Sequence, residues 1–275
     1  VKFISISFGI YPDTQNSTNY KTFFIKIFKK DYIISKILFQ LLKIARLIQF
    51  YKFHHHFISG SLDIGDIPEK QITYSHALDY NFFITLKNIK KPIQKNYIAY
   101  LDQKYINHPE FKFLREPNYI DSNSYKHLHN FFEKLCSAQK KDIVFCAHPR
   151  AKKNEDYLKA FNNVKFNETA IYTKYADLVV VHDSQSINFP VLFKKPIILL
   201  ALSGMEMTNK RDNLYLTGEL LGCKVIDIKN LHDINLDETY DVDEAKYNEY
   251  IKKYIKFKGE EINSWEILSK KLYEI

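Results

Sequence analysis

The feature that most constrains this chain is an alternation of short apolar runs with longer helical ones from Tyr97 onward. Tyr97–Leu101, Asp142–Ala147, Val164–Phe166, Asp177–Val181, Pro196–Leu202 and Lys224–Ile228 read as strands. Between and after them Tyr125–Gln139, Glu155–Phe161, Ala170–Ala176, Ile187–Phe193, Leu214–Leu221 and Asp243–Phe257 read as helices. In the first helix Leu128, Phe131, Phe132 and Leu135 fall on one face. Strands separated in this way by helices predict an α/β fold with a parallel, doubly wound sheet. Such sheets bind ligands in the crevice beyond the carboxyl ends of their strands, which is where chemistry is to be sought.

Upstream, Phe3–Phe8 alternates apolar residues with Ser and reads as a strand, and Gly9–Asn19 as a polar loop. Lys21–Phe53 keeps a helical spacing through Ile33, Ile34, Ile37, Leu38, Leu41, Leu42, Ala45 and Ile48, with Lys30, Lys36, Lys43 and Arg46 as a basic side. A core-facing helix with a solvated lysine face and a helix lying on a membrane surface both fit this pattern. His54-His55-His56 is not expected to bind a metal, because consecutive residues on a regular element point different ways. Ile72–Tyr74 reads as a short strand, and Asn88–Lys95, with Pro92 inside it, as a linker.

Composition narrows the class further. Lys and Arg number 40 against 32 Asp and Glu, a net charge of +8, with 45% apolar residues: a globular chain, compatible with an anionic substrate or membrane surface. The charge is diffuse and no basic–aromatic motif accompanies it, so nucleic acid is not an expected partner. The abundance of Tyr and Phe is what an AT-rich coding sequence supplies. Cys136, Cys146 and Cys223 have no paired spacing, which excludes a disulfide framework or a cysteine zinc site and suits a reducing cytosol. The longest aliphatic run, Ile197–Leu202, is too short to span a bilayer, and the first residues lack a signal-peptide pattern. A cytoplasmic location is expected, peripheral at the inner face of the membrane if Lys21–Phe53 docks there.

Polar groups gather where the fold would use them. Asp102-Gln103, then Asn107-His108-Pro109-Glu110, follow the Tyr97 strand; His148-Pro149-Arg150 follows the Asp142 strand; His182-Asp183-Ser184-Gln185-Ser186 follows the Asp177 strand. His148 and Arg150 are donors suited to phosphate or carboxylate oxygens. Ser184 and Ser186 stand where a helix begins, so they either cap it or bind an anion there. No Gly-x-Gly-x-x-Gly or Walker lysine pattern is present, which argues against a dinucleotide oxidoreductase or P-loop nucleotidase. No Gly-x-Ser-x-Gly esterase elbow occurs either. No Asp-x-Asp pair stands at these strand ends, so no metal or other cofactor is expected.

From Tyr97 to Leu202 the chain resembles bacterial glycosyltransferases of the two-domain GT-B architecture that build surface polysaccharides. The likeness is greatest to those using CMP-activated acidic sugars, the sialyltransferases and 3-deoxy-manno-octulosonic acid transferases. It is carried by His148-Pro149, by Ser184 with Ser186, and by the cadence Tyr175-Ala-Asp-Leu-Val-Val-Val-His-Asp-Ser184 followed by Phe193-Lys-Lys-Pro-Ile197. The serine motif here is Ser-Gln-Ser rather than adjacent hydroxyls, and Asp63-Ile64-Gly65-Asp66 only loosely echoes the acidic motif that supplies the base in sialyltransferases. The resemblance implies two Rossmann-like domains: an acceptor-side domain over residues 1–93, a nucleotide-sugar domain over 94–258, and a final helix over 259–275 packing back on the first. The first domain is short for a nucleotide fold, which a truncated start would explain, since the chain begins with Val1.

The implied reaction is an inverting, metal-independent transfer from a nucleotide sugar to a growing glycan or glycolipid acceptor. It needs a stabilised leaving phosphate and a deprotonated acceptor hydroxyl. The phosphate candidates are His148, Pro149, Arg150, Ser184, Gln185 and Ser186. For catalysis Asp102, Asp79, Asp66 and His148 are candidates, and Gln103, His108 and Glu110 could face the acceptor. A nucleotide-sugar epimerase or hydrolase, or a non-catalytic glycan-binding scaffold subunit, remains an alternative.

Overall fold

The computed structural model describes residues 3–9, 12, 53–61, 67–105, 123–153, 155, 158–159, 161–205, 209–231 and 234–274. The helix expected over Lys21–Phe53 lies outside them, except that Phe53 opens a strand. So do Asp66, His108 and Glu110.

Among the described residues there are two all-parallel sheets. The smaller has the order β1 (Phe3–Ser7), β2 (Phe53–Ser59), β3 (Ile72–Ser75). The larger contains β4 (Tyr97–Leu101), β5 (Asp142–Ala147), β6 (Val164–Phe166), β7 (Leu178–Val181), β8 (Ile197–Ala201) and β9 (Lys224–Asp227), in the order β6-β5-β4-β7-β8-β9. Renumbered from its own first strand this is 3-2-1-4-5-6, the Rossmann order, and its direction of winding reverses between β4 and β7. The α/β class with parallel sheets expected from the sequence is therefore the one observed.

The apolar runs form strands because both faces of this sheet are covered. Along β4, Tyr97, Ala99 and Leu101 enter one core while Ile98 and Tyr100 enter the other. β7 and β8 divide in the same way, Val179, Val181, Ile197 and Leu199 on one side and Val180, Ile198 and Leu200 on the other. Burying each such aliphatic side chain is worth roughly 1.5–3 kcal/mol, so this central strip dominates the stability of the sheet. Tyrosines enter the core where the hydroxyl finds a carbonyl: Tyr97 donates to Tyr172 O at 2.9 Å and Tyr247 to Lys195 O at 2.9 Å.

Seven α-helices are named here: α1 (Leu78–Thr85), α2 (Asn123–Gln139), α3 (Thr169–Tyr175), α4 (Asn188–Leu192), α5 (Asn209–Leu221), α6 (Glu244–Tyr250) and α7 (Ser264–Leu272). α1 is absent from the expectations. Glu155–Phe161, expected as a helix, contains 3-10 turns at its described residues, with Leu158 N–H on Glu155 O and Phe161 N–H on Leu158 O. The helix expected over Asp243–Phe257 is α-helical to Tyr250 and continues as a π-turn over Ile251–Ile255.

The end of the chain returns to the smaller sheet. Ala77 N–H donates to Ile255 O at 2.9 Å, and Ser61 N–H to Lys253 O at 3.0 Å. Gly60, at φ +69°, makes the second contact possible, since a Cβ there would lie 1.9 Å from Lys253 O. In α7, Ser264 N–H donates to Asn81 Oδ1 at 2.9 Å, and the Trp265 ring sits edge-on to Phe8 at 5.4 Å.

β2 separates the three histidines. His55 is buried within 2.7 Å of Thr73 Oγ1, while His54 is exposed and His56 half-buried. Among the described residues no group of three or more His, Cys, Asp or Glu could hold a metal ion. No helix among them is long and apolar enough to cross a membrane.

Candidate functional site

A cleft of about 840 Å³ opens at the carboxyl ends of β4, β5 and β7. It lies at the winding reversal, where the connections from β4 and β7 leave in opposite directions and cannot fill the crevice. Asp79, Asp102, Gln103, His148, Pro149, Ser184, Gln185 and Ser186 all line it. Arg150 does not: its side chain is exposed, and its backbone carbonyl accepts from Lys104 Nζ at 3.1 Å.

The serine motif is wired into a directional network. Ser184 Oγ accepts from Ser186 N–H at 3.1 Å, capping the 3-10 turn Gln185–Ile187, and also accepts from Gln103 Nε2. Those two bonds occupy both hydroxyl lone pairs, so the Ser184 hydrogen goes to Ser186 Oγ, 2.8 Å away. The Ser186 hydroxyl hydrogen is the one this network leaves for a ligand. Capping and ligand binding, open alternatives at the sequence level, thus divide between the two serines. Gln103, expected toward the acceptor, lines the cleft and ties the end of β4 to the serine motif. Gln185 Nε2 donates to Gly9 O at 3.0 Å, joining the motif to the loop after β1.

His148 is half-buried, and its Nδ1 accepts from Arg150 N–H at 3.1 Å. The neutral ring therefore carries its proton on Nε2 and presents an N–H donor. Asp102, only 4% exposed, spends its carboxylate on the backbone. Oδ1 accepts from Lys104 N–H at 3.0 Å and Oδ2 from His148 N–H at 3.4 Å, so it shapes the turns after β4 and β5. His182 is fully buried: Nδ1–H donates to Leu200 O at 2.6 Å and Nε2 accepts from Tyr100 OH at 2.7 Å. Burial lowers its pKa to about 4, which keeps it neutral.

Asp79 differs in kind from Asp102. It sits in the first turn of α1, with Oδ2 accepting from Asn188 Nδ2 at 2.9 Å. Burial raises its carboxyl pKa from 3.8 to about 6, the Asn188 hydrogen bond working in the opposite direction. A carboxylate poised near neutrality at a cleft is suited to proton transfer.

Sequence reasoning missed Lys210, Tyr105 and Thr169, which also line the cleft. Lys210 brings an ammonium to it, with Nζ 3.9 Å from Asp183 Oδ2 and 6.0 Å from the centre of the Tyr105 ring. It opens α5, so the strand-end rule applied after β8 would have reached it had the helix been started at 209 rather than Leu214. Phe82, 57% exposed, stands on the rim one turn beyond Asp79.

A Rossmann-order sheet with hydroxyl, imidazole and ammonium groups at its reversal point and a carboxyl group of raised pKa on one wall makes this cleft the candidate site. No protein-family model and no curated protein sequence matches the chain. Among solved structures it is similar to the UDP-GlcNAc 2-epimerase of Methanocaldococcus jannaschii, in complex with UDP-GlcNAc and UDP. The identity is 16% and the TM-score 0.37, over 67% of this chain and 54% of that one. Similarity to the glycotransferase of kitacinnamycin is 11% with a TM-score of 0.41, over 90% of this chain and 61% of that one. Similarity to KpsC of Thermosulfurimonas dismutans, a beta Kdo 2,7 transferase, is 13% with a TM-score of 0.33, over 90% and 88%. The chain thus spans 54% and 61% of the length of the first two.

Proposed function

We propose that the cleft binds a nucleotide-activated sugar and transfers the sugar to an acceptor hydroxyl, as a GT-B-type glycosyltransferase. The observation that carries this reading is the pairing of anion donors (Ser186 Oγ, His148 Nε2 and Lys210 Nζ) with a carboxyl group of pKa about 6, Asp79, in one crevice. The donors neutralise the leaving phosphate. Asp79 takes the proton of the acceptor hydroxyl as that oxygen bonds to the anomeric carbon and the bond from that carbon to phosphate breaks. Attack from the face opposite the leaving group inverts the anomeric centre. The charge is met by side chains, without a metal. A CMP-activated acidic sugar is the favoured donor, and a growing bacterial surface glycan or glycolipid the acceptor, both on the resemblance around His148-Pro149 and the serines.

Calorimetry of the intact protein with CMP, UDP, GDP and CDP tests the donor half, since a leaving product that binds the fold also stabilises it. Binding of one nucleotide, weakened by His148→Ala and Ser186→Ala, is expected. Absence of binding to all four defeats the proposal. Consumption of the sugar donor at an equal rate without any acceptor would instead assign an epimerase or hydrolase.

A further inference from the structure

α1 enters the larger sheet's cleft by packing on α4, the helix that follows the serine motif. Phe82 meets Phe189 edge-on at 6.2 Å, and Phe83 meets Phe193 at 5.3 Å. Within this apolar contact lies one polar pair, Asp79 and Asn188. Asn188 is 2% exposed, its Nδ2 donates to Asp79 Oδ2, and its own Oδ1 has no hydrogen-bond partner. A buried amide left half-satisfied is costly, and an apolar residue would fit this surface better. A half-satisfied amide bonded to a cleft carboxylate points to a use beyond packing.

We infer that Asn188 is the positioning residue for Asp79, holding one carboxylate oxygen so that the other is aimed at the acceptor hydroxyl. The inference rests on the reading of Asp79 as the base. With Oδ2 engaged, Oδ1 alone takes the proton, and its direction is fixed relative to Ser186, two residues before Asn188. The donor motif and the base are thereby referenced to one short stretch of chain, and a reacting geometry good to fractions of an ångström is what such a link supplies. Other titratable groups stand around the same carboxylate. Tyr250 faces it from the end of α6, and Asp102, His148, Asp183 and Lys210 line the same cleft.

The test uses the full chain with Asn188→Leu, and Asn188→Ala as a second variant should Leu not fold. Removing a hydrogen bond to the carboxylate favours its protonated form, so the Asp79 pKa rises. Carboxyl-carbon NMR, with Asp79 assigned by Asp79→Asn, should show this as a shift of about one pH unit upward. An unchanged Asp79 titration overturns the inference, whether or not a donor sugar is known. In turnover the acidic limb should move up with it. The alkaline plateau should also fall by about tenfold at unchanged donor KM, because the deprotonated oxygen is no longer aimed. A plateau equal to the parent's overturns positioning. Full activity in Asp79→Asn would instead remove Asp79 as the base, while the NMR titration still reports on Asn188.

Discussion

The side chain of Gln185 reaches out of the serine motif of the larger sheet to the carbonyl of Gly9, beyond the first strand of the smaller one. A Cβ on Gly9 would lie 3.0 Å from Gln185 Nε2, so the amide would have to shift to admit it. Gln185→Ala should weaken nucleotide binding a few-fold with little effect on stability, as the bond is exposed. Gly9→Ala should push the amide aside and give a similar loss. The two together should cost no more than either alone, and additive losses in a calorimetric double-mutant cycle would show that the residues act separately.

The directional hydroxyl network separates Ser184 from Ser186. Ser184→Ala removes a cap and leaves the Gln103 amide without its acceptor, and should cost about 1 kcal/mol in urea denaturation as well as affinity. Ser186→Ala should weaken nucleotide binding by roughly tenfold while changing stability less. The reverse ranking in stability would mean the hydrogen bonds run the other way.

Lys210 brings a cation to the cleft, where sequence reasoning expected the Arg150 guanidinium. Its side chain is 20% exposed, so its charge is only partly screened by water. Lys210→Gln should lower nucleotide affinity by roughly tenfold and flatten its dependence on salt between about 50 and 500 mM, a range over which the Debye length shrinks about threefold. Equal salt slopes in parent and variant would remove Lys210 from the phosphate site.

His182 couples the larger sheet to pH. Its folded pKa of about 4 lies below the ordinary 6.5, so the unfolded chain takes up the proton first as pH falls. Its contribution is complete above 6.5 and is lost on descent toward 4, by roughly 3 kcal/mol in all. Asp79 acts oppositely: its raised pKa makes the folded state the better proton acceptor between about 6 and 3.8, which offsets part of the loss. Urea midpoints from pH 7 to pH 5 should therefore slope downward in the parent more than in His182→Gln, where the Asp79 effect is no longer opposed by His182. Parallel curves would contradict the assignment.

The larger sheet was legible because parallel strands covered on both faces are continuous apolar runs; β4, β5, β7 and β8 appear within a residue or two of their expected bounds. Their carboxyl ends located Asp102, His148, Ser184 and Ser186 correctly at one crevice. α1 was not legible: Leu78, Tyr80, Phe82 and Phe83 surround it with apolar groups, because Phe82 packs on α4 at the cleft rim while Tyr80 enters the core, and no helical stripe results. Strand-end position alone favours Asp102 over Asp79 as the base. Both follow a strand closely, and only the fold shows that backbone N–H groups consume one carboxylate while burial against a single amide leaves the other near neutrality.

Ala77 and Tyr80, which follow the smaller sheet's last strand, belong to the same core as Val181, Val191, Tyr250 and Ile255. The larger sheet is thus walled on one side by chain that precedes the Asn88–Lys95 linker, and that wall is pinned in turn by the π-turn segment. A cut at the linker would strip a panel from the interior rather than release an independent lobe. Heating should therefore give one calorimetric transition in which both sheets melt together, and a fragment beginning at Tyr97 should expose the apolar face that Ala77 and Tyr80 had covered and fail to fold alone.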